Sequence, residues 1–354
     1  MTLSPVFRSD KAIEALRSKG VWDRLENASV AQRDAVRRVR VDLTQVLDAR
    51  FMREEAGAEI TGDGSVPFEF VQEFFFLILF RSVLESVGGR RDALDLYSEL
   101  NFCIQGSITA ADNLFDDQQK SLLPLRAGAG RRFAAILELL SFQRLLPRAL
   151  DRGVSAGVMS KAQSDRIQCE LLSRMAAIGA LEGSEEDGID EILDVDEMIE
   201  RVHRVRGGAL FELALVAPRH VEGPTMRDVL MQVEKGIAHL GTAFQIVDDL
   251  TDLEFDLTHR RQNLLVAQIH YGGDFEERAA LVQLRESRVA PPRIVETLFR
   301  TSAREVLGRA SHEARRGLEE LQAAGFWFPP ALANQLVRAI VGLDGVAMMK
   351  ALSS

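Results

Sequence analysis

The feature that most limits the fold of this chain is a run of apolar residues in alternating steps of four and three. Met226, Leu230, Val233, Ile237, Leu240, Phe244 and Val247 form it, just after Pro224 and Thr225. That spacing gathers all seven on one stripe of an α-helix and suits no face of a strand. Such a helix must bury its stripe against other helices. The stripe runs straight into Asp248, Asp249 and Asp252, which fall within about a 100° arc of the same helix. Asp248 and Asp252 are four apart, one turn above the other, where like charges destabilise a bare helix. A bound cation is the simple way to offset that repulsion.

The rest of the chain is also helical in period, with little strand-like alternation. A polar leader covers 1–27. One all-α domain, a single large helical bundle, is expected over 28–354, since no linker-like boundary interrupts it. Helices are expected at about 29–55, 68–87, 92–117, 130–151, 157–182, 195–217, from Thr225, and at 274–287, 293–323 and 329–350. The stretch from Ala56 to Val66 reads as a loop. The acidic segment from Glu182 to Asp194 reads as a solvated turn.

Composition narrows the function. The formal net charge is −10, with no clustered basic stripe for nucleic acid. An acidic balance suits a protein that concentrates carboxylates around divalent cations. Cys103 and Cys169 are the only cysteines, as expected of a reduced, cytoplasmic protein. The longest apolar run, Phe74 to Phe80, is too short for a transmembrane segment, and the N-terminus has no signal-peptide pattern.

A second carboxylate cluster precedes the first in the chain: Ala111-Asp112-Asn113-Leu114-Phe115-Asp116-Asp117. Asp112 and Asp116 share a helix face at the end of an apolar helix. Mg²⁺ takes oxygen ligands, keeps waters and bridges carboxylates to phosphates. Two carboxylate clusters beside apolar walls therefore suit the ionisation of a diphosphate ester, with the metal stabilising the leaving group and the walls excluding water. Neither cluster has EF-hand spacing.

The residues from Phe244 to Asp252 closely resemble the second aspartate-rich motif of the trans-prenyl diphosphate synthases, the polyprenyl synthetase family. Asp112 to Asp116 resembles the first motif, with Asn113 in place of an Asp. Arg206-Gly207-Gly208 is similar to the family's Lys-Thr helix break, Arg206 replacing the diphosphate-binding Lys. The stretch Asp256-Leu257 through Arg260-Arg261-Gln262-Asn263 is similar to the segment where a Lys helps hold diphosphate. The resemblance runs from about residue 65 to the C-terminus. It implies the isoprenoid synthase fold, a homodimer, three Mg²⁺ ions and an allylic prenyl diphosphate substrate. By the same resemblance Asp112, Asp116, Asp248, Asp249 and Asp252 bind metal. Arg206 and one of Arg260 and Arg261 bind diphosphate, and Gln245 orients a metal ligand or faces the cation. Ser107 and Ile108 occupy the zone that gates chain length in that family. Phe211 and Phe244 could stabilise a carbocation through their π faces.

Two departures bear on the reaction. Chain-elongating members carry Gly-Gly-Lys-Arg where this chain reads Ser65-Val66-Pro67-Phe68. They also carry an Arg pair where it has Ser121 and Leu122. Those basic groups hold the second substrate, isopentenyl diphosphate, so the leading expectation is a terpene cyclase on a prenyltransferase scaffold. A prenyltransferase whose second site is rebuilt from Arg81, Lys120 or Arg126 is the alternative, and a non-catalytic subunit of a heteromeric synthase is a third. His203, three residues from Arg206 on one helix, could lie near the diphosphate, but such a histidine is more often a surface residue and is given no role.

Overall fold

The computed structural model describes residues 17–18, 20–53, 66–115, 120–126, 130–287 and 293–339, with 348 and 352. The described residues are helical, and the only bridge between extended segments among them joins Met52 to Leu125. No described helix is long and apolar enough to cross a membrane. The helices gather into two compact units, one mainly 22–171 with 213–230, the other mainly 172–212 with 231–354.

In the first unit, α1 spans Trp22–Val46, α2 Phe68–Glu73, α3 Phe75–Ser86, α4 Leu94–Phe115 and α5 Arg131–Ser155. Helix α1 starts earlier and ends sooner than expected, and the helix expected at 68–87 is interrupted at Phe74. Leu25, Val36, Val39 and Leu43 of α1 are buried, as are Ile78, Leu79, Leu100, Phe102, Phe142 and Leu145. A chain of ring contacts runs through this core: Phe70 to Phe74 at 4.6 Å, Phe74 to Phe102 at 5.9 Å, Phe102 to Phe142 at 5.5 Å. Phe142 sits over Gly106, where a Cβ would lie 2.1 Å from its ring. Only glycine lets α5 approach α4 so closely. The buried Glu99 of α4 accepts from Arg38 of α1 and Arg152 of α5, each at 2.5 Å, so its charge is paired rather than stranded.

Helix α6, Lys161–Gly183, runs from the first unit into the second. The second unit continues with α7, Val195–Met198, and then a π-helix over Ile199–Ala209. The α-helix expected over 195–217 is therefore π-helical through its middle. It gives way to α8, Leu210–Glu212, after which a 3₁₀ turn at Leu213–Leu215 and α9, Val216–Val221, belong to the first unit. The apolar stripe from Leu230 onward lies on α10, Arg227–Thr251, while Met226 precedes it in a 3₁₀ turn. Leu230, Val233, Ile237, Leu240 and Val247 are buried, Phe244 half so. After it come α11, Leu253–His259; α12, Leu264–Gly272; α13, Phe275–Ser287; α14, Ile294–Leu298; α15, Arg300–Ala323; and α16, Ala333–Ala339.

Two glycine contacts set how α10 packs. A Cβ on Gly207 would lie 2.2 Å from the Gly241 carbonyl oxygen, and one on Gly241 would lie 2.2 Å from that of Gly207. Gly236 meets the Gly317 carbonyl oxygen of α15 in the same way, at 2.9 Å. Backbone lies against backbone at both crossings, which side chains larger than hydrogen would forbid.

Candidate functional site

The second aspartate cluster sits at the junction of α10 and α11. Asp248 and Asp252 are half-buried, while Asp249 is buried. The Asp252 N–H still donates to the Asp248 carbonyl at 2.9 Å, so the helical turn that stacks the two carboxylates is intact.

Asp249 points inward. Its Oδ2 takes the Leu264 N–H at 2.5 Å and lies 2.8 Å from Nε2 of His203. The other ring nitrogen of His203, Nδ1, lies 3.1 Å from the Met198 carbonyl oxygen. The ring thus spans two oxygen acceptors and is completely buried. It is not the surface residue expected from the sequence. The link to Met198 runs from the imidazole side chain to a carbonyl five residues back.

Asn263 ties the same corner together. Its Nδ2 donates to the Asp249 carbonyl and to Oδ2 of Asp256, both at 2.7 Å. Its Oδ1 accepts from Leu265 and Val266, capping α12. Asp256 is held well above the usual carboxylate range. Burial is the main cause and the nearby charge of Asp249 adds to it, against the Asn263 hydrogen bond.

Of the three candidate diphosphate cations, Arg206 and Arg260 are engaged by carboxylates. Arg206 is buried, with Nε 2.8 Å from Glu182 and Nη2 2.8 Å from Glu185. Burial alone would lower its pKa, but Glu182 and Glu185 outweigh that and raise it. Glu185 is itself buried and also accepts the Gln262 N–H at 3.0 Å. Arg260 has a left-handed backbone, φ 56°, and its Nη2 donates to the Ile189 carbonyl and to Asp190, both at 2.8 Å. The Ile189 N–H returns a bond to the Arg260 carbonyl at 2.8 Å. The expectation of a freely solvated acidic turn is therefore corrected at Glu185: this segment clasps the basic stretch after the aspartates. Arg261 lies over the Phe255 ring at 4.8 Å. Gln245 is half-buried on α10, and Phe211 stacks on Phe244 at 5.8 Å.

In the first unit, Asp112 is exposed in the last turn of α4, and Asp116 and Asp117 lie outside the described residues. Asn113 is buried and works on the backbone. Its Nδ2 donates to the Lys120 carbonyl at 2.6 Å and its Oδ1 accepts the Lys120 N–H at 2.9 Å. A carboxylate could make only the second bond. Asn113→Asp, which would restore the family-like residue, is expected to destabilise the protein by about 1–3 kcal/mol in urea unfolding. A stability equal to or above that of the wild type would refute this.

Beyond Lys120 the chain is tied to α5. Glu138 is buried and accepts the N–H groups of Leu122 at 2.6 Å and Leu123 at 2.9 Å. Burial raises its pKa and those backbone donors partly restrain the rise. Ser121 is half-buried and Leu122 buried. Ser107 is buried in α4 and Ile108 half-buried. Of the cations considered for a rebuilt second site, Arg81 pairs with Glu85 at 2.6 Å and Asp95 at 2.7 Å. Arg126 is exposed, donating to the Met52 carbonyl at 3.1 Å, and Lys120 is exposed.

The donor set fits a hard cation. Both clusters offer carboxylate oxygens without histidine or cysteine ligands, as Mg²⁺ prefers. Among the described residues no three His, Cys, Asp or Glu side chains converge into a preformed metal cage. Mg²⁺ that keeps waters and shares a substrate's phosphate oxygens does not need one.

No family model and no curated protein sequence matches the chain. Solved structures do. A geranylgeranyl pyrophosphate synthetase from Pyrococcus horikoshii Ot3 matches with a TM-score of 0.60 at 15% identity, over 92% of this chain and 99% of that one. A decaprenyl diphosphate synthase from Rhodobacter capsulatus matches at 0.58 and 19%, over 89% and 98%. A polyprenyl synthetase from Streptomyces coelicolor A3(2) matches at 0.53 and 16%, over 90% and 98%. The chain has the all-α fold of the trans-prenyl diphosphate synthases over nearly its whole length.

Proposed function

We propose that the chain is an enzyme that ionises an allylic prenyl diphosphate and transfers the prenyl group to an acceptor, isopentenyl diphosphate or another nucleophile. The observation that carries this is the near full-length likeness to prenyl diphosphate synthases. The carboxylate pair at the end of α10 agrees with it. From sequence alone cyclisation stood first, whereas the likeness runs to chain-joining enzymes and moves the weight to transfer. Cyclisation remains the second reading for a specific reason. Positions 121 and 122 carry no basic side chain: Leu122 is buried and Ser121 is bonded to Glu138.

Asp112, Asp116, Asp248 and Asp252 are the proposed Mg²⁺ ligands, three ions being the number the family resemblance implies. Bound Mg²⁺ would neutralise the charge that collects on the departing diphosphate. Asp249, with Oδ2 already bonded to Leu264, contributes to the same site mainly by fixing its backbone. Arg206, Arg260 and Arg261 are the proposed diphosphate cations. For Arg206 and Arg260, phosphate oxygens would replace Glu182, Glu185 or Asp190. Gln245 lies one turn before Asp249 and would orient the bound diphosphate. The Phe211–Phe244 pair would face the cation. A homodimer accords with Phe133, Ile136 and Leu140, which are exposed along one side of α5.

The test incubates purified protein and Mg²⁺ with geranyl, farnesyl or geranylgeranyl diphosphate, with and without isopentenyl diphosphate. Pyrophosphate release and product masses are followed. A longer diphosphate that forms only with isopentenyl diphosphate is the expected result. A hydrocarbon or alcohol formed without it would establish cyclisation instead. No turnover with any substrate would overturn the enzyme reading in favour of a non-catalytic subunit.

A further inference from the structure

We infer that His203 is a positioning residue of the metal site: through Asp249 it holds the final turn of α10, and so aims Asp248 and Asp252. The inference rests on the proposed metal-dependent reading. Three observations within one unit carry it. His203 is completely buried, with Nε2 2.8 Å from Asp249 Oδ2 and Nδ1 3.1 Å from the Met198 carbonyl. Asp249 stands between the two proposed ligands in sequence, and its Oδ2 also takes the Leu264 N–H. The Asp249 backbone carbonyl is held by Asn263 at 2.7 Å. Both ends of Asp249 are thus fixed, side chain by the π-helix and α12, main chain by the cap of α12. Rotation of the turn that presents Asp248 and Asp252 would break all of these bonds at once.

Carboxylates that must meet a metal in octahedral geometry gain affinity when their orientation is set before the metal arrives. His203 is the side-chain partner of the Asp249 carboxylate, and it can be altered without touching the backbone or the aspartates. Gln is long enough to offer an amide near the position of Nε2, whereas Asn reaches only the region of Nδ1 and leaves Asp249 without that partner.

The experiment is calorimetric titration of the full chain with Mg²⁺ in the presence of inorganic pyrophosphate, for wild type, His203→Asn and His203→Gln. Thermal unfolding without ligands runs in parallel. The expected result is that His203→Asn weakens Mg²⁺ binding by about tenfold or more. His203→Gln should stay within about threefold of wild type while both unfold at similar temperatures. Wild-type binding matched by His203→Asn would overturn the positioning role and leave the metal reading standing. Equal weakening in both variants, in step with lost thermal stability, would reduce His203 to a packing residue. Absence of Mg²⁺-dependent pyrophosphate binding in the wild type would bring down the metal reading and this inference together.

Discussion

Asp248→Asn is expected to lower the rate of pyrophosphate release by about a thousandfold or more, while leaving stability unchanged or slightly higher. The two effects have different causes. Asp248 lies in the last turn of α10 and Asp252 just beyond it, four residues on, where like-charge repulsion costs a few tenths of a kcal/mol. Removing one charge relieves it. The same removal takes an oxygen ligand from the cation proposed to stabilise the leaving diphosphate. Steady-state turnover and urea unfolding on the same preparation separate the two. Activity retained within tenfold would remove Asp248 from the metal site. Activity and stability lost together would make the residue structural.

The largest effect on folding is expected at Gly207. An alanine there would bring its Cβ to 2.2 Å from the Gly241 carbonyl oxygen and 2.7 Å from the carbonyl carbon. Both atoms are backbone, so no flexible side chain can move aside. Relief requires the π-helix and α10 to separate along their length, which would also draw His203 away from Asp249. A loss of about 3 kcal/mol or more is expected from this overpacking. Gly179 serves as the comparison. It lies in α6 with nothing within 4 Å of its would-be Cβ, and alanine there should be neutral or stabilising by up to about 1 kcal/mol. Comparable unfolding midpoints for the two variants would refute the close-contact argument.

Much of the scaffold was legible because periodicity and burial coincide. The stripe ending at Val247 places α10, and four of its members from Leu230 to Leu240 are buried as read. The stacked aspartates follow from the same helix. The π-helix was not legible, since a 3.6-residue pattern cannot announce an i to i+5 ladder. His203 was misread because its burial depends on the side chain of Asp249, 46 residues on, which no local pattern announces. Glu185 was misread because the burial of a carboxylate depends on a distant partner, here Arg206. Asn113 stands in place of a motif Asp, and the bonds of its amide to Lys120, seven residues on, could not be read from the sequence. One signal was there to be read: Asn263 ahead of Leu264-Leu265-Val266 is a helix start, and α12 begins at Leu264.

The tether between Glu138 and the backbone of Leu122 and Leu123 has a consequence for protein engineering. Grafting an arginine pair onto positions 121 and 122 would set a guanidinium where Leu122 is only 5% exposed. The segment would have to unlatch from α5 before either arginine reached an incoming anion, leaving Glu138 without its two amide donors. The path of this segment is thus held by main-chain bonds to Glu138 as well as by its side chains. A successful graft would have to carry Glu138 and its helix face along with the two cations.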